Sequence, residues 1–208
     1  MTQTAIQFLL RIRRGSISRL AQKAVRLIAL VTSDEPLNGQ NIPTGGMSLV
    51  GIMAIRDDVR KEAKTAIKEL SSAGIQTVMI TGDRKETAVA VASDAGLLNK
   101  SDELVFTSEE LADMSDNEIK KLLPKIRVIA RALPTDKSRL VRIAQEMNLV
   151  VGMTGDGVND APALKLADVG FAIGSGSEVA KEAGDIVILD DNFFSIRNAV
   201  LYGRTIYK

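Results

Sequence analysis

From about Gly51 onward, stretches of helical hydrophobic period alternate with short unbroken apolar runs, the pattern of a parallel β-sheet covered by helices on both faces. Ala63, Ala66, Ile67 and Leu70 line one face of a predicted helix that stops at Gly74, and residues 77–80 then read as a buried strand. Ala88, Val91, Ala92 and Ala95 repeat the helical spacing before Gly96. A polar insert follows, in which Thr107 with Glu110 and Ser115 with Glu118 read as capping boxes opening two short helices. Residues 127–130 are the next strand, and Leu140, Ile143, Ala144 and Met147 mark the buried side of the next helix. Residues 149–153, 169–173 and 186–189 complete the strands, with Ser175 and Glu178 expected to cap the helix between the last two. The first 46 residues differ, with a basic start (Arg11, Arg13, Arg14, Arg19, Lys23, Arg26) and a loop rich in Gly, Pro and Asn over 36–46.

Composition narrows the chemistry. The 208 residues carry 27 basic and 26 acidic side chains, so no net field draws the chain to nucleic acid or an anionic membrane. Cysteine and histidine are both absent, which removes disulfides, thiolate metal sites and imidazole bases. Catalysis would run on carboxylates, lysine, hydroxyls and backbone amides. No apolar run approaches the roughly 20 residues of a membrane helix, and residues 1–15 do not read as a secretion signal, so a soluble chain is expected.

Three groups lie just past predicted strand ends, where an α/β sheet binds its ligands. Thr81-Gly82-Asp83 offers a hydroxyl and free amides at a helix N-terminus, a geometry that holds a phosphoryl oxygen. Arg131 and Pro134-Thr135-Asp136-Lys137 place an ammonium on the first turn of a helix. Residues 154–160, TGDGVND, form a glycine-flanked turn with two carboxylates and an amide. A lone Thr-Gly-Asp is commonly just a turn and cap, but two acids and an asparagine within five positions after a buried strand concentrate charge that a cation would relieve. Carboxylate and phosphate oxygens are what Mg2+ prefers. Gly174-Ser175-Gly176 lacks the third glycine of a dinucleotide fingerprint, no Gly-Lys-Ser/Thr marks a P-loop, and residues 156–160 do not match an EF-hand.

The stretches MITGD (79–83), ARALPTDK (130–137), MTGDGVNDAPALKLADVGFAIG (153–174), EVAKEAGDIVILDDNF (178–193) and GRTIY (203–207) resemble the phosphorylation domain of P-type cation-transporting ATPases, within the haloacid dehalogenase-like superfamily. The PTDK and LDDNF forms look most like the calcium-transporting branch. The resemblance implies a three-layer, Rossmann-like α/β fold and assigns Asp156, with Asp160, to Mg2+. It assigns Lys137, Thr81 and Gly82 to the phosphoryl group, Asn159 and Asp160 to holding the site, and Asp57, Arg60, Asp83 and Arg131 to the neighbourhood of ATP. Residues 1–48 are expected to be the end of a nucleotide-binding domain with its return linker, and 49–208 the second part of the phosphorylation domain.

Two departures qualify the resemblance. The family's Asp-Pro-Pro-Arg return motif stands here as Asp57-Asp58-Val59-Arg60, without its prolines. The Asp-Lys-Thr-Gly-Thr motif, whose aspartate is phosphorylated in the family, does not occur in the sequence. The implied reading is part of an ATP- and Mg2+-dependent cation pump, with Ca2+ the expected ion, acting at the cytoplasmic face of a membrane beside the pump's N-terminal part and membrane domain. The alternatives are a stand-alone phosphatase of the superfamily, for which Asp34 after residues 27–33 is the one candidate nucleophile, and an inactive module binding Mg2+ or nucleotide. In the family the acceptor strand lies between the strands ending at Thr81 and Thr154. The expectation is that its place is filled by a local segment such as 6–12, or by a strand lent from another copy, rather than closed by those two strands pairing.

Overall fold

The computed structural model describes residues 26–34, 46–55 and 59–206, and the chain divides into two compact units, 1–58 and 59–208. In the first, β1 (Arg26–Ser33) pairs antiparallel with β2 (Met47–Ile55), from Arg26 opposite Ile55 to Ser33 opposite Met47, with a bulge at Leu30/Val31. Asp34 follows β1, and its N–H donates to Gly46 O at 3.0 Å. The proposed filler at 6–12 and the return-motif residue Asp57 lie outside the described residues.

The second unit carries the alternating pattern. Its elements run α1 (Lys61–Ser72), β3 (Met79–Ile80), α2 (Lys85–Ala95), β4 (Leu104–Thr107), α3 (Ser108–Ala112), α4 (Asp116–Leu122), β5 (Ile126–Ala130) and α5 (Pro134–Glu146). Then come β6 (Gly152–Gly155), α6 (Ala161–Leu166), β7 (Val169–Ile173), α7 (Glu178–Ala183), β8 (Ile186–Ile188) and α8 (Phe193–Ile206). The strands form two parallel sheets of three, ordered β3-β5-β4 and β6-β7-β8. The unit is a Rossmann-type α/β fold, parallel strands with helices on both faces.

β5 lies at the centre of the first sheet, and Ile126, Val128, Ile129 and Ala130 are fully buried, while Arg127, the one charged residue in the strand, pairs with Glu103 at 3.2 Å. One face of this sheet packs Ile126 and Ile129 against Leu140, Ile143 and Ala144 of α5; Val78, Ile80 and Val151 join the same cluster. The other face packs Val128 and Ala130 against Ile67, Ala88 and Ala92. Phe193 touches that cluster and also the one formed by Phe171, Ile188 and Ile196 beneath the second sheet. Helices therefore bridge the two sheets on both faces, while no described strand pairs β3 with β6. The closing of the gap by those two strands does not occur in this structure.

Local signals explain most boundaries. α2 ends where Gly96 adopts φ 79°, letting Leu97 N–H return to Ala92 O at 2.8 Å. Thr107 and Ser115 form the two expected capping boxes with Glu110 and Glu118. Thr107→Ala should remove one cap acceptor at a cost of about 1 kcal/mol, read as a lower urea midpoint at unchanged slope; an unchanged midpoint would refute the role. One expected cap is corrected. α7 is capped by Ser177, whose Oγ accepts from Ala180 N–H at 3.3 Å, while Ser175 turns its N–H to Asp191. The strand expected over 149–153 lies later, because pairing with β7 begins at Gly152 opposite Val169, and Val150 is 85% exposed. β4 and α8 were not anticipated by periodicity.

Candidate functional site

Thr81 continues the β3 edge, its N–H donating to Ile129 O at 2.9 Å. Two residues on, Asp83 N–H donates to Thr81 Oγ1 at 3.1 Å, and the hydroxyl donates to Asp83 Oδ2 at 3.2 Å. The turn leads into α2, whose N-cap, Arg84, supplies no side-chain acceptor. At the end of β5 the chain crosses this turn: Arg131 N–H donates to Asp83 O at 2.8 Å and Ala132 N–H to Thr81 O at 2.9 Å. Arg131 takes φ 51° to do so, a left-handed conformation that costs a residue with a Cβ about 1–2 kcal/mol.

Two residues after that crossing α5 starts, with Pro134 in its first turn, where no intrahelical donor is needed. Asp136 is buried and its Oδ2 accepts from Leu133 N–H at 2.7 Å, closing the first turn that carries Lys137. The Lys137 ammonium pairs with Asp160 Oδ1. The other Asp160 oxygen accepts from the N–H groups of Asp156 and Gly157, each at 3.2 Å. Burial on its own would raise the Asp160 pKa. The Lys137 hydrogen bond, the Gly157 N–H, the Lys137 charge and the Asp156 N–H outweigh it and hold the carboxyl below the usual carboxylate range.

The carboxylates of the turn therefore divide their work. Asp160 is buried and committed on both oxygens, whereas Asp156 and Asn159 are exposed. Gly155 makes room for Asp160, since a Cβ there would lie 2.8 Å from Asp160 Cγ. The fold thus joins Lys137, Asp156 and Asp160 directly, and laces Thr81-Gly82-Asp83 to Arg131. Arg60 is elsewhere engaged, its Nη1 reaching Asp191 O at 3.5 Å. Sequence reasoning did not single out Ser177, whose N–H donates to Asp156 O, Gly176, which lets that approach occur, or Asp191, whose Oδ1 accepts from Ser175 N–H. The paired glycines of 174–176 were the available signal. The phosphatase candidate Asp34 follows a strand of an antiparallel hairpin, not of the parallel sheets.

Among the described residues no group of three or more Asp or Glu side chains could hold a metal by itself, and no helix is long and apolar enough to cross a membrane.

Comparison with known proteins gives three findings. The sequence pattern of haloacid dehalogenase-like hydrolases matches residues 5–168. A calcium-transporting ATPase of Lactococcus lactis is 44% identical over 190 residues, which is 90% of this chain and 22% of that protein. Others are a plasma-membrane-type calcium-transporting ATPase of Arabidopsis thaliana (42% over 194 residues; 92% of this chain, 19% of that) and a calcium-transporting ATPase of Listeria monocytogenes (48% over 159; 76% and 18%). The chain thus spans about a fifth of the curated relatives it matches. A solved zinc-transporting PIB-type ATPase in its E2.Pi state superposes with a TM-score of 0.67 at 25% identity, over 95% of this chain and 26% of that one.

Proposed function

The chain belongs to the haloacid dehalogenase-like hydrolase family, and on that premise we propose that it supplies the phosphoryl- and Mg2+-handling half of the phosphorylation domain of an ATP-driven cation pump. Ca2+ is the proposed cargo, after the relatives' names. The observation that carries the reading is the Lys137–Asp160 pair, which brings the first turn of α5 onto the 154–160 turn beside the exposed Asp156.

In this reading Lys137, the Thr81 hydroxyl and the Gly82 amide hold phosphoryl oxygens, and Asp160 with Asn159 keeps the turn in shape. Asp83 and Arg131, laced backbone to backbone, face the nucleotide. Asp57 and Arg60 form the return segment, where the Arg60 contact with Asp191 suits an anchor as well as a nucleotide ligand. Mg2+ suits the donor set. Of the two carboxylates expected on the ion, Asp160 is taken up by Lys137 and two N–H groups, which leaves Asp156 as the exposed one, with phosphate oxygens and waters to complete the octahedron. When bound it would supply charge neutralisation for the transferring phosphoryl group. The acceptor aspartate of such a pump is not among these 208 residues, so the carboxylate that takes the phosphoryl must be contributed from outside them.

Transplanting this sequence into the matching stretch of the Lactococcus lactis calcium-transporting ATPase tests the reading. The chimera should form an acid-stable phosphoenzyme and drive Ca2+ uptake into vesicles, and Lys137→Ala should reduce phosphoenzyme formation roughly 100-fold, the scale of losing one charge-stabilising donor. The chain alone should take no acid-stable label from ATP. A folded, ATP-binding chimera without phosphoenzyme would count against the pump assignment. Hydrolysis of small phosphate esters by the isolated chain, abolished by changing one aspartate, would favour the stand-alone phosphatase instead.

A further inference from the structure

Asp156 is held at both backbone polar atoms by different parts of the fold. Its N–H donates to Asp160 Oδ2 at 3.2 Å, within its own turn, and its carbonyl accepts from Ser177 N–H at 2.8 Å, across from the loop between β7 and α7. The two grips fix the Cα from which the exposed carboxylate projects.

The second grip depends on an unusually close approach. A Cβ on Gly176 would stand 2.6 Å from Asp156 O and 2.9 Å from its Cα, distances that real side chains do not tolerate. Only glycine lets the 174–177 loop lie against the Asp156 peptide. The loop is tied in turn at its far side: Gly174 N–H donates to Ile188 O at 2.8 Å and Ser175 N–H to Asp191 Oδ1 at 3.0 Å. Asp191 takes φ 50° on the connection from β8 to α8, a conformation that four-atom side chains of this kind tolerate best among non-glycine residues. Ser177 completes the fastening by capping α7 with its hydroxyl.

We propose that Gly176, Ser177 and Asp191 are positioning residues that clamp the Asp156 backbone, so that its carboxylate is set for a divalent cation before the cation arrives. This rests on the reading of Asp156 as the cation carboxylate. Supporting groups behind a metal ligand typically change affinity about 10- to 100-fold when removed. Ser177 acts through its N–H, which no side-chain change deletes, so Gly176 and Asp191 are the testable positions.

Mg2+ titration of the whole chain, followed by the amide resonances of Asp156 and Gly157, separates clamp from ligand. Gly176→Ala and Asp191→Ala should each weaken Mg2+ binding about tenfold or more and speed amide exchange at Ser177. Asp191→Asn keeps the Oδ1 acceptor and should stay within about twofold of the unaltered chain in both measurements. Should Gly176→Ala fail to fold, the contrast between Asp191→Ala and Asp191→Asn carries the test. Asp191→Ala with unchanged Ser177 exchange, or with faster exchange but unchanged Mg2+ affinity, would overturn the clamp. Asp156→Ala should abolish binding. If it does not, the cation reading fails, while the exchange data still decide whether the loop grips the 156 backbone.

Discussion

Asp160→Ala should lower the melting temperature by roughly 6–12 °C, the equivalent of about 3 kcal/mol for a chain of this length. The change strands the Lys137 ammonium, whose side chain is only 18% exposed, and leaves the Asp156 and Gly157 N–H groups without their acceptor. That residual exposure of Lys137 puts the figure at the lower end of what breaking a buried pair costs. Removing both partners in Lys137→Met/Asp160→Ala should cost less than Asp160→Ala alone, because no unpaired charge remains. A double variant less stable than the single one would show that the pair is not the source.

The same pair sets an acid limit. Asp160 has its carboxyl held below the ordinary range in the folded chain, so its stabilisation is fully present above the unfolded carboxyl value, about 4, and is lost as pH falls through the lower folded value. The stability difference between the unaltered chain and Asp160→Asn should therefore be constant above about pH 5 and shrink below about pH 4. A difference that widened on acidification would contradict the sign.

A peptide carrying a parallel strand that ends in the acceptor motif should raise the melting temperature by roughly 5–11 °C when present at a hundredfold excess over its Kd, about 2.7 kcal/mol of linkage. The sheets β3-β5-β4 and β6-β7-β8 lie side by side, with Val78, Ile80 and Val151 under one cover and Phe193 spanning the other face. Between β3 and β6 no described strand pairs. A strand entering there would gain partners on both edges, as in β-augmentation. A scrambled peptide should give no shift. No shift at saturating acceptor peptide, from a monomeric and well-folded chain, would mean that the position is not available.

Periodicity recovered α1, α2, α5, β5 and β7 because the apolar repeat dominates each, in β5 despite Arg127. β4 escaped because its last residue, Thr107, is also the cap of α3, so the polar signal of the helix start masked a four-residue strand. β6 was placed early because Leu149 and Val150 are apolar although exposed. Hydrophobicity could not show that pairing starts at Gly152. The candidate site residues Thr81, Lys137, Asp156 and Asp160 stand out in the sequence because their chemistry is concentrated in short motifs, and the structure brings Lys137 and Asp160 together. Gly176 and Asp191 do not, since their contacts, a close approach to the Asp156 peptide and a carboxylate accepting from Ser175 N–H, join segments whose meeting no local pattern shows.

The division of the sheet layer also bears on what the candidate site requires. Each half is contained in one uninterrupted stretch, β3 to β5 within 79–130 and β6 to β8 within 152–188, with α5 as the connector between them. Each strand finds its partners within its own half, the widest separation being that of Met79 from Val128, and no strand pairing spans the two halves. α5 packs its Leu140, Ile143 and Ala144 onto the first of these halves while its first turn reaches the second through Lys137. The turn at 154–160 and Lys137, which meets it, come from opposite sides of this division, so the Lys137–Asp160 pair requires both halves to be docked.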